Sequence, residues 1–154
     1  MAVALATLAV GCGFQFKGAL RVPAEMQRTY IAADDRYSPF YRALRAELSA
    51  AGVDVVGSAA EATATFTVLY DETDQRVLSV SARNVPTEYE VYYSIQYAID
   101  AGASGLMPTR DLTLTRDYTY DSRLVLGKAR EQELLQNAIV DDLVAIVMKQ
   151  ISTL

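Results

Sequence analysis

The run Ala62-Thr63-Ala64-Thr65-Phe66-Thr67-Val68-Leu69-Tyr70 alternates, and two later runs repeat the habit. They are Tyr89-Glu90-Val91-Tyr92-Tyr93-Ser94-Ile95-Gln96-Tyr97-Ala98-Ile99 and Leu112-Thr113-Leu114-Thr115-Arg116-Asp117-Tyr118-Thr119-Tyr120. Successive strand residues point to opposite faces, so each run has an apolar side and a more polar side. Val, Ile, Thr and Tyr suit a pleated, half-covered surface. Sequential alternating strands predict an antiparallel meander, since only antiparallel neighbours are joined by short turns. The apolar face collects Ala62, Ala64, Phe66, Val68 and Tyr70, then Tyr89, Val91, Tyr93, Ile95, Tyr97 and Ile99, then Leu112, Leu114, Tyr118 and Tyr120. That face needs a cover.

The flanking sequence supplies it. Thr29 to Ala33 is a short strand candidate, and Ser38-Pro39 opens a helix, with serine as N-cap and proline preset for the first helical position. Tyr41, Leu44, Leu48 and Ala51 recur at helical spacing, and Gly52 stops the helix. A strand–helix–strand unit from Tyr30 to Tyr70 makes its two strands parallel with a right-handed crossover. Lys128 to Leu154 reads as one helix of about 40 Å, with Leu135, Ile139, Leu143, Ile146, Val147 and Ile151 as its buried stripe. The expected fold is α+β: a two-layer sandwich of two helices packed on one face of a four-stranded mixed sheet.

Bulk properties narrow the function. A chain of 154 residues is one domain by length, and a net charge of -5 argues against nucleic acid as a partner. Histidine is absent and there is one cysteine, which removes the commonest general base, the commonest metal ligand and any intrachain disulfide. Glu88 and Glu90 share a strand face and are candidates for acid–base work, or else solvated groups paired with arginine. Ser79, Ser81 and Ser94 have no histidine partner, and Asp141 and Asp142 point apart on a helix. No catalytic residue, metal site or cofactor is expected.

Residues 1–11 are almost all apolar or small and too short to span a bilayer, like the h-region of a secretory signal. The sole cysteine follows in Leu8-Ala9-Val10-Gly11-Cys12-Gly13, which resembles a lipobox, although no Lys or Arg precedes the run and Ala9 stands where leucine is usual. Lipidation, with palmitate among the chains, is the reading taken for Cys12. A buried N-terminal strand with a free thiol is its alternative. Several acyl chains anchor stably where one is marginal, and Gly13 in place of aspartate favours the outer membrane. Residues 12–28 read as the lipidated N-terminus and tether, and 29–154 as the folded domain.

Basic residues gather in two places. Arg76 and Arg83 fall in the long connection from the second to the third strand, Asp71 to Thr87, which is a loop or, because Arg76 to Ser81 also alternates, an extension of both strands past the body of the sheet with Asn84-Val85-Pro86 as a tip or a break. Arg123, Lys128 and Arg130 fall between the fourth strand and the last helix. A meander alternates direction, so both places lie at one end of the sheet. Arg83 and Lys128 can meet there as an anion site or stand apart as solvated charges. The tyrosines read mostly as cross-strand packing, and Tyr92, alone on the polar face, as an interface residue.

These residues resemble the lipopolysaccharide-assembly lipoprotein LptE (RlpB) family of Gram-negative bacteria. Cys12-Gly13-Phe14-Gln15-Phe16-Lys17-Gly18 is similar to its Cys-Gly-Phe-His-Leu-Arg-Gly start, with Gln15 and Lys17 replacing His and Arg. Tyr37-Ser38-Pro39-Phe40 with Leu44 to Leu48, Arg83-Asn84 with Thr87-Glu88-Tyr89, and Leu126-Gly127-Lys128 with Glu131-Gln132-Glu133 follow in order. The resemblance implies a non-catalytic lipoprotein, lipid-anchored in the outer membrane on the periplasmic side. It would plug the LptD barrel and bind lipopolysaccharide, with Arg83, Lys128, Arg76 and Arg123 as candidate contacts. The alternative is a periplasm-facing scaffold or inhibitor lipoprotein with another protein partner, and a small hydrolase is a third reading.

Overall fold

The computed structural model describes residues 21–102, 104–120 and 125–154, with the backbone alone at 104 and 125–129. Its elements are β1 (Arg28–Ala32), α1 (Pro39–Ala50), β2 (Asp54–Val56), β3 (Ala64–Val80), β4 (Pro86–Ala101), β5 (Ser104–Thr119) and α2 (Val125–Ile151). The class is the expected one, two helices with a mixed sheet, but the sheet has five strands in the order β2-β1-β3-β4-β5. The strand missing from the sequence reading is β2, which pairs parallel with β1 through Arg28↔Asp54 and Tyr30↔Val56. Three residues straight after a helix stop are too few to show alternation.

On its other side β1 pairs parallel with β3, from Thr29↔Ala64 to Ala32↔Thr67, and there it ends. β3, β4 and β5 form the expected antiparallel meander, in which β3 continues past its alternating run to Val80, β4 exceeds its run at both ends and β5 begins well before its own, at Ser104. The β3–β4 hairpin turns at Ser81–Val85, where Asn84 takes φ 59° and its N–H donates to the Ser81 carbonyl at 2.8 Å. Asparagine tolerates that left-handed conformation better than most residues. The β4–β5 hairpin turns at Gly102, φ 58°.

Helix α1 starts as its sequence dictates. The Tyr41 N–H donates to the Ser38 hydroxyl at 3.0 Å, and Pro39 takes the first position. Gly52, φ 86°, ends the turn. Phe40, Leu44 and Leu48 are fully buried from this helix, and Ile139, Leu143, Val147 and Ile151 from α2. Val140, Val144 and Met148 are buried too, so the α2 stripe is wider than expected because it packs on α1 as well as on the sheet. From β4, Val91, Tyr93, Ile95, Tyr97 and Ile99 all point into this core. Each large apolar side chain so covered contributes roughly 1.5–3 kcal/mol.

Two details shift the expected boundaries. Ala24–Met26 forms a 3-10 turn and Met26 is fully buried, so ordered packing begins before Thr29. A bulge between Val68 and Tyr70 adds one residue to β3 against β4. One extra residue in a period of two exchanges the faces. Tyr70, expected on the covered side, is therefore about half exposed, and Asp71 turns toward the helices.

Candidate functional site

The bulge places a carboxylate under a helix start. Asp71 accepts the Tyr93 hydroxyl on Oδ1 and the Ser38 hydroxyl on Oδ2, each at 2.5 Å. Ser38 thus caps α1 with its oxygen and ties that cap to the sheet with its hydrogen. Burial first, and then the Asp71 carboxylate, push the Tyr93 phenol above its usual pKa. Burial also pushes Tyr97 up to about 12, despite Arg110. The Tyr97 hydroxyl donates to Gln150 Oε1 at 2.6 Å, and its ring stacks on Phe66. Tyr89 stacks on Tyr118 and meets Tyr120 edge-on. Most tyrosines therefore pack under the helices, as their cross-strand positions suggest.

The opposite face of the meander is hydroxyl-rich. Ser94 and Thr113 share a hydrogen bond at 2.8 Å across β4 and β5, and Gln96 donates to Asp111 at 2.8 Å. Tyr92 stands on this side, opposite Asp74 and Thr115. Glu88 accepts the Ser79 hydroxyl at 2.7 Å, and Ser79 also bonds Thr87. Glu90 is buried here in an ion pair with Arg76. Oε1 of Glu90 finds no well-angled hydrogen bond, so the charge of Arg76 is its compensation among the described residues. The two glutamates thus have separate partners and no shared one.

The candidate anion-binding residues fare differently. Arg76 lies within β3 and not in a connection, because β3 runs on to Val80, and its guanidinium is engaged by Glu90. Arg83 is exposed on the turn between β3 and β4. The exit of β5 lies at that same end: Thr119 pairs with Glu88, and the Tyr120 N–H donates to the Thr87 carbonyl at 2.8 Å. The backbone of α2 begins five residues later. Lys128 falls in its first turns, but the Lys128 side chain and all of Arg123 lie outside the described residues, as do Cys12 and the signal-like run 1–11. Arg130 pairs with Glu133 one helical turn on. No group of three or more His, Cys, Asp or Glu among the described residues could hold a metal ion, and none of their helices is long and apolar enough to cross a membrane.

Sequence reasoning missed Asp71 and the burial of Glu90. Nothing in the order Leu69-Tyr70-Asp71 announces a bulge, whereas the i, i+14 pairing of Arg76 with Glu90 follows once the hairpin register is known.

A family model described as "LptE: Lipopolysaccharide-assembly" matches residues 26–151. The protein named LPS-assembly lipoprotein LptE from Yersinia enterocolitica is 25% identical over 132 residues, covering 85% of this chain. Its counterpart of the same name from Pectobacterium atrosepticum is 25% identical over 153 residues, covering 96% of this chain. The chain spans 63% of the Yersinia protein's length and 80% of the Pectobacterium protein's. Among solved structures, lipoprotein B from Nitrosomonas europaea superposes with a TM-score of 0.75 at 26% identity, covering 92% of this chain and 91% of that one. The rare lipoprotein B from Shewanella oneidensis, at 22% identity, shares the fold with a TM-score of 0.71 over 82% of this chain and 94% of its own.

Proposed function

This chain belongs to the LptE family of lipopolysaccharide-assembly lipoproteins, and from that premise we propose that it is a non-catalytic outer-membrane component. Anchored through Cys12 on the periplasmic side, it supports and plugs the LptD barrel and binds lipopolysaccharide on its way to the outer leaflet. The observation that carries the reading is the family match over residues 26–151, nearly the whole described chain.

Two structural features support it. The uncovered sheet face is rich in Thr, Ser and Gln paired across strands, a surface stable in water and suited to the polar interior of an outer-membrane barrel. The Arg83 turn and the exit of β5, five residues ahead of α2 in sequence, share one end of the sheet. Arg83, Lys128 and Arg123 are assigned to lipopolysaccharide phosphates, for which arginine's planar fork is fitted. Arg76 is assigned to holding Glu90.

The test is co-purification of the lipidated chain with a large barrel protein in mild detergent. Photocrosslinkers at Ser81 and Val85 should capture the barrel. Capture only from the solvent face of α2 would refute the plug orientation, and no recovered barrel would refute the partnership. Separately, Arg83→Glu with Lys128→Glu should weaken lipopolysaccharide binding at low salt while leaving the thermal transition in place. Equal binding sinks the phosphate site. Cys12→Ala should abolish labelling by a radioactive fatty acid.

A further inference from the structure

β1 leaves the sheet early, and that exposes an edge. Its last pair with β3 is Ala32↔Thr67, while β3 continues to Val80. Among the described residues, no strand pairs with β3 on that side from Val68 onward. A row of backbone N–H and C=O groups is left to solvent there, which is a ready template for another extended chain. This edge contains neither proline nor glycine. Leu69, Tyr70, Val77, Leu78 and Val80 are each about half exposed along it. Of the sheet's two outer strands, β2 is only three residues long, and β5 is defended by Pro108 and by charges of both signs such as Arg110 and Asp111.

Charge selects the occupant. Asp71, Glu72 and Asp74 line the middle of the β3 edge. A shallow cleft marks the point where β1 departs, lined by Asp34, Asp35, Leu69, Tyr70 and Asp71. Arg36, next in sequence to Asp35 of the lining, is turned to Tyr30: it donates to that hydroxyl at 2.7 Å and lies over the ring at 5.7 Å. Arg76, further along, is held by Glu90. A second copy of this chain would bring the same carboxylates against themselves, and like charges on facing strands repel.

We infer that the β3 edge from Val68 to Val80 takes an added strand from a partner protein, an extended segment alternating Lys or Arg with apolar residues. Main-chain hydrogen bonds would supply the affinity and side-chain pockets the choice, as in other strand-addition complexes. One basic side chain of the segment enters the cleft beside Asp34 and Asp35, end to end with β1. This inference does not depend on which protein the chain supports in the membrane.

The test uses the detergent-solubilised full chain and a synthetic peptide of about eight residues, an ordinary strand length, with alternating Lys and Val. Hydrogen exchange should slow in β3 from Leu69 to Val80 and not along β5. A peptide of equal charge with proline at its centre should give no such protection. Glu72→Lys with Asp74→Lys should weaken binding about tenfold, since each exposed charge contact is modest and is here reversed. If that variant loses its thermal transition, Glu72→Gln with Asp74→Asn replaces it, with about threefold weakening expected. The proposal is overturned by equal binding of the proline peptide or of an unstructured Lys–Gly peptide. Protection on β5, or no protection at millimolar peptide, overturns it too. Dimerisation of the chain through β3 assigns the edge to a second copy instead.

Discussion

Removing the Asp71 carboxylate tests the joint between α1 and the sheet. Asp71→Ala leaves two hydroxyls without their acceptor: Tyr93, 1% exposed, and Ser38, 8% exposed. A buried polar group left unpaired costs about 1–3 kcal/mol. Asp71 also lines the cleft open to solvent, so water can reach part of the vacated space. That places the expected loss at the lower end, about 2–4 kcal/mol in total. For a chain of this size it corresponds to a fall in Tm of roughly 5–15 °C. Asp71→Asn keeps one acceptor oxygen and should lose about half as much. Urea unfolding should show a lower midpoint with an unchanged slope, which marks a change of stability and not of compactness. A double-mutant cycle with Ser38→Ala isolates the cap bond, because neighbours that share a network do not add. A loss below about 0.5 kcal/mol for Asp71→Ala, the range of an ordinary surface change, would refute the claim that this carboxylate ties the helix to the sheet.

Arg76→Ala should cost about 1 kcal/mol, a buried-pair loss discounted for the exposure of Arg76, and Glu90→Gln in the same chain should recover part of it. Arg83→Ala should stay within about 0.5 kcal/mol of the parent, and the two urea midpoints compare the pair directly. Leu143→Ala, at a fully buried site, should cost about 2–5 kcal/mol by calorimetry or urea titration. Tyr97 has its folded pKa raised from 10.0 to about 12, so the fold favours the neutral phenol. That contribution is complete below pH 10 and is lost as pH rises from 10 through 12. Tyr97→Phe should lose about 1 kcal/mol at neutral pH with the Gln150 bond and should flatten the alkaline limb of a stability-against-pH curve. An unchanged limb would mean that Tyr97 does not carry it.

Much of this was legible because alternation is strict where one face is covered. Every odd residue of β4 from Val91 to Ile99 was assigned to the core by pattern, and each is buried. The Ser38-Pro39 start of α1 was equally readable, since capping is local chemistry. What escaped depends on contacts distant in sequence. β2 exists because α1 delivers Asp54–Val56 to the edge of β1, and its three residues carry no signal alone. The bulge at Leu69 is set by pairing with β4, so strict alternation puts Tyr70 on the wrong face. Met26 looked like tether because one methionine has no period, yet it fills the core beneath the start of β1. At the candidate site, the sharing of one end by the Arg83 turn and the β5 exit followed from meander direction. The engagement of Arg76 did not, because the alternation of Arg76 to Ser81 allows β3 to continue but does not say which residue of β4 will face Arg76.

The meander also sets an order of events in time. β3, β4 and β5 are joined by turns at Ser81–Val85 and Gly102, so their pairing closes only short loops. β1 and β2 pair in parallel, and each must wait for α1 to be laid across the sheet before any hydrogen bond forms. Loop-closure entropy therefore favours a nucleus in the two hairpins, with the N-terminal strands docking after the rate-limiting step. In kinetic terms, truncations at Ile95 or Phe66 should slow refolding, whereas truncations at Val55 or Ile31 should mainly hasten unfolding. Stopped-flow chevrons of the four variants would show the reverse partition if the N-terminal unit forms first.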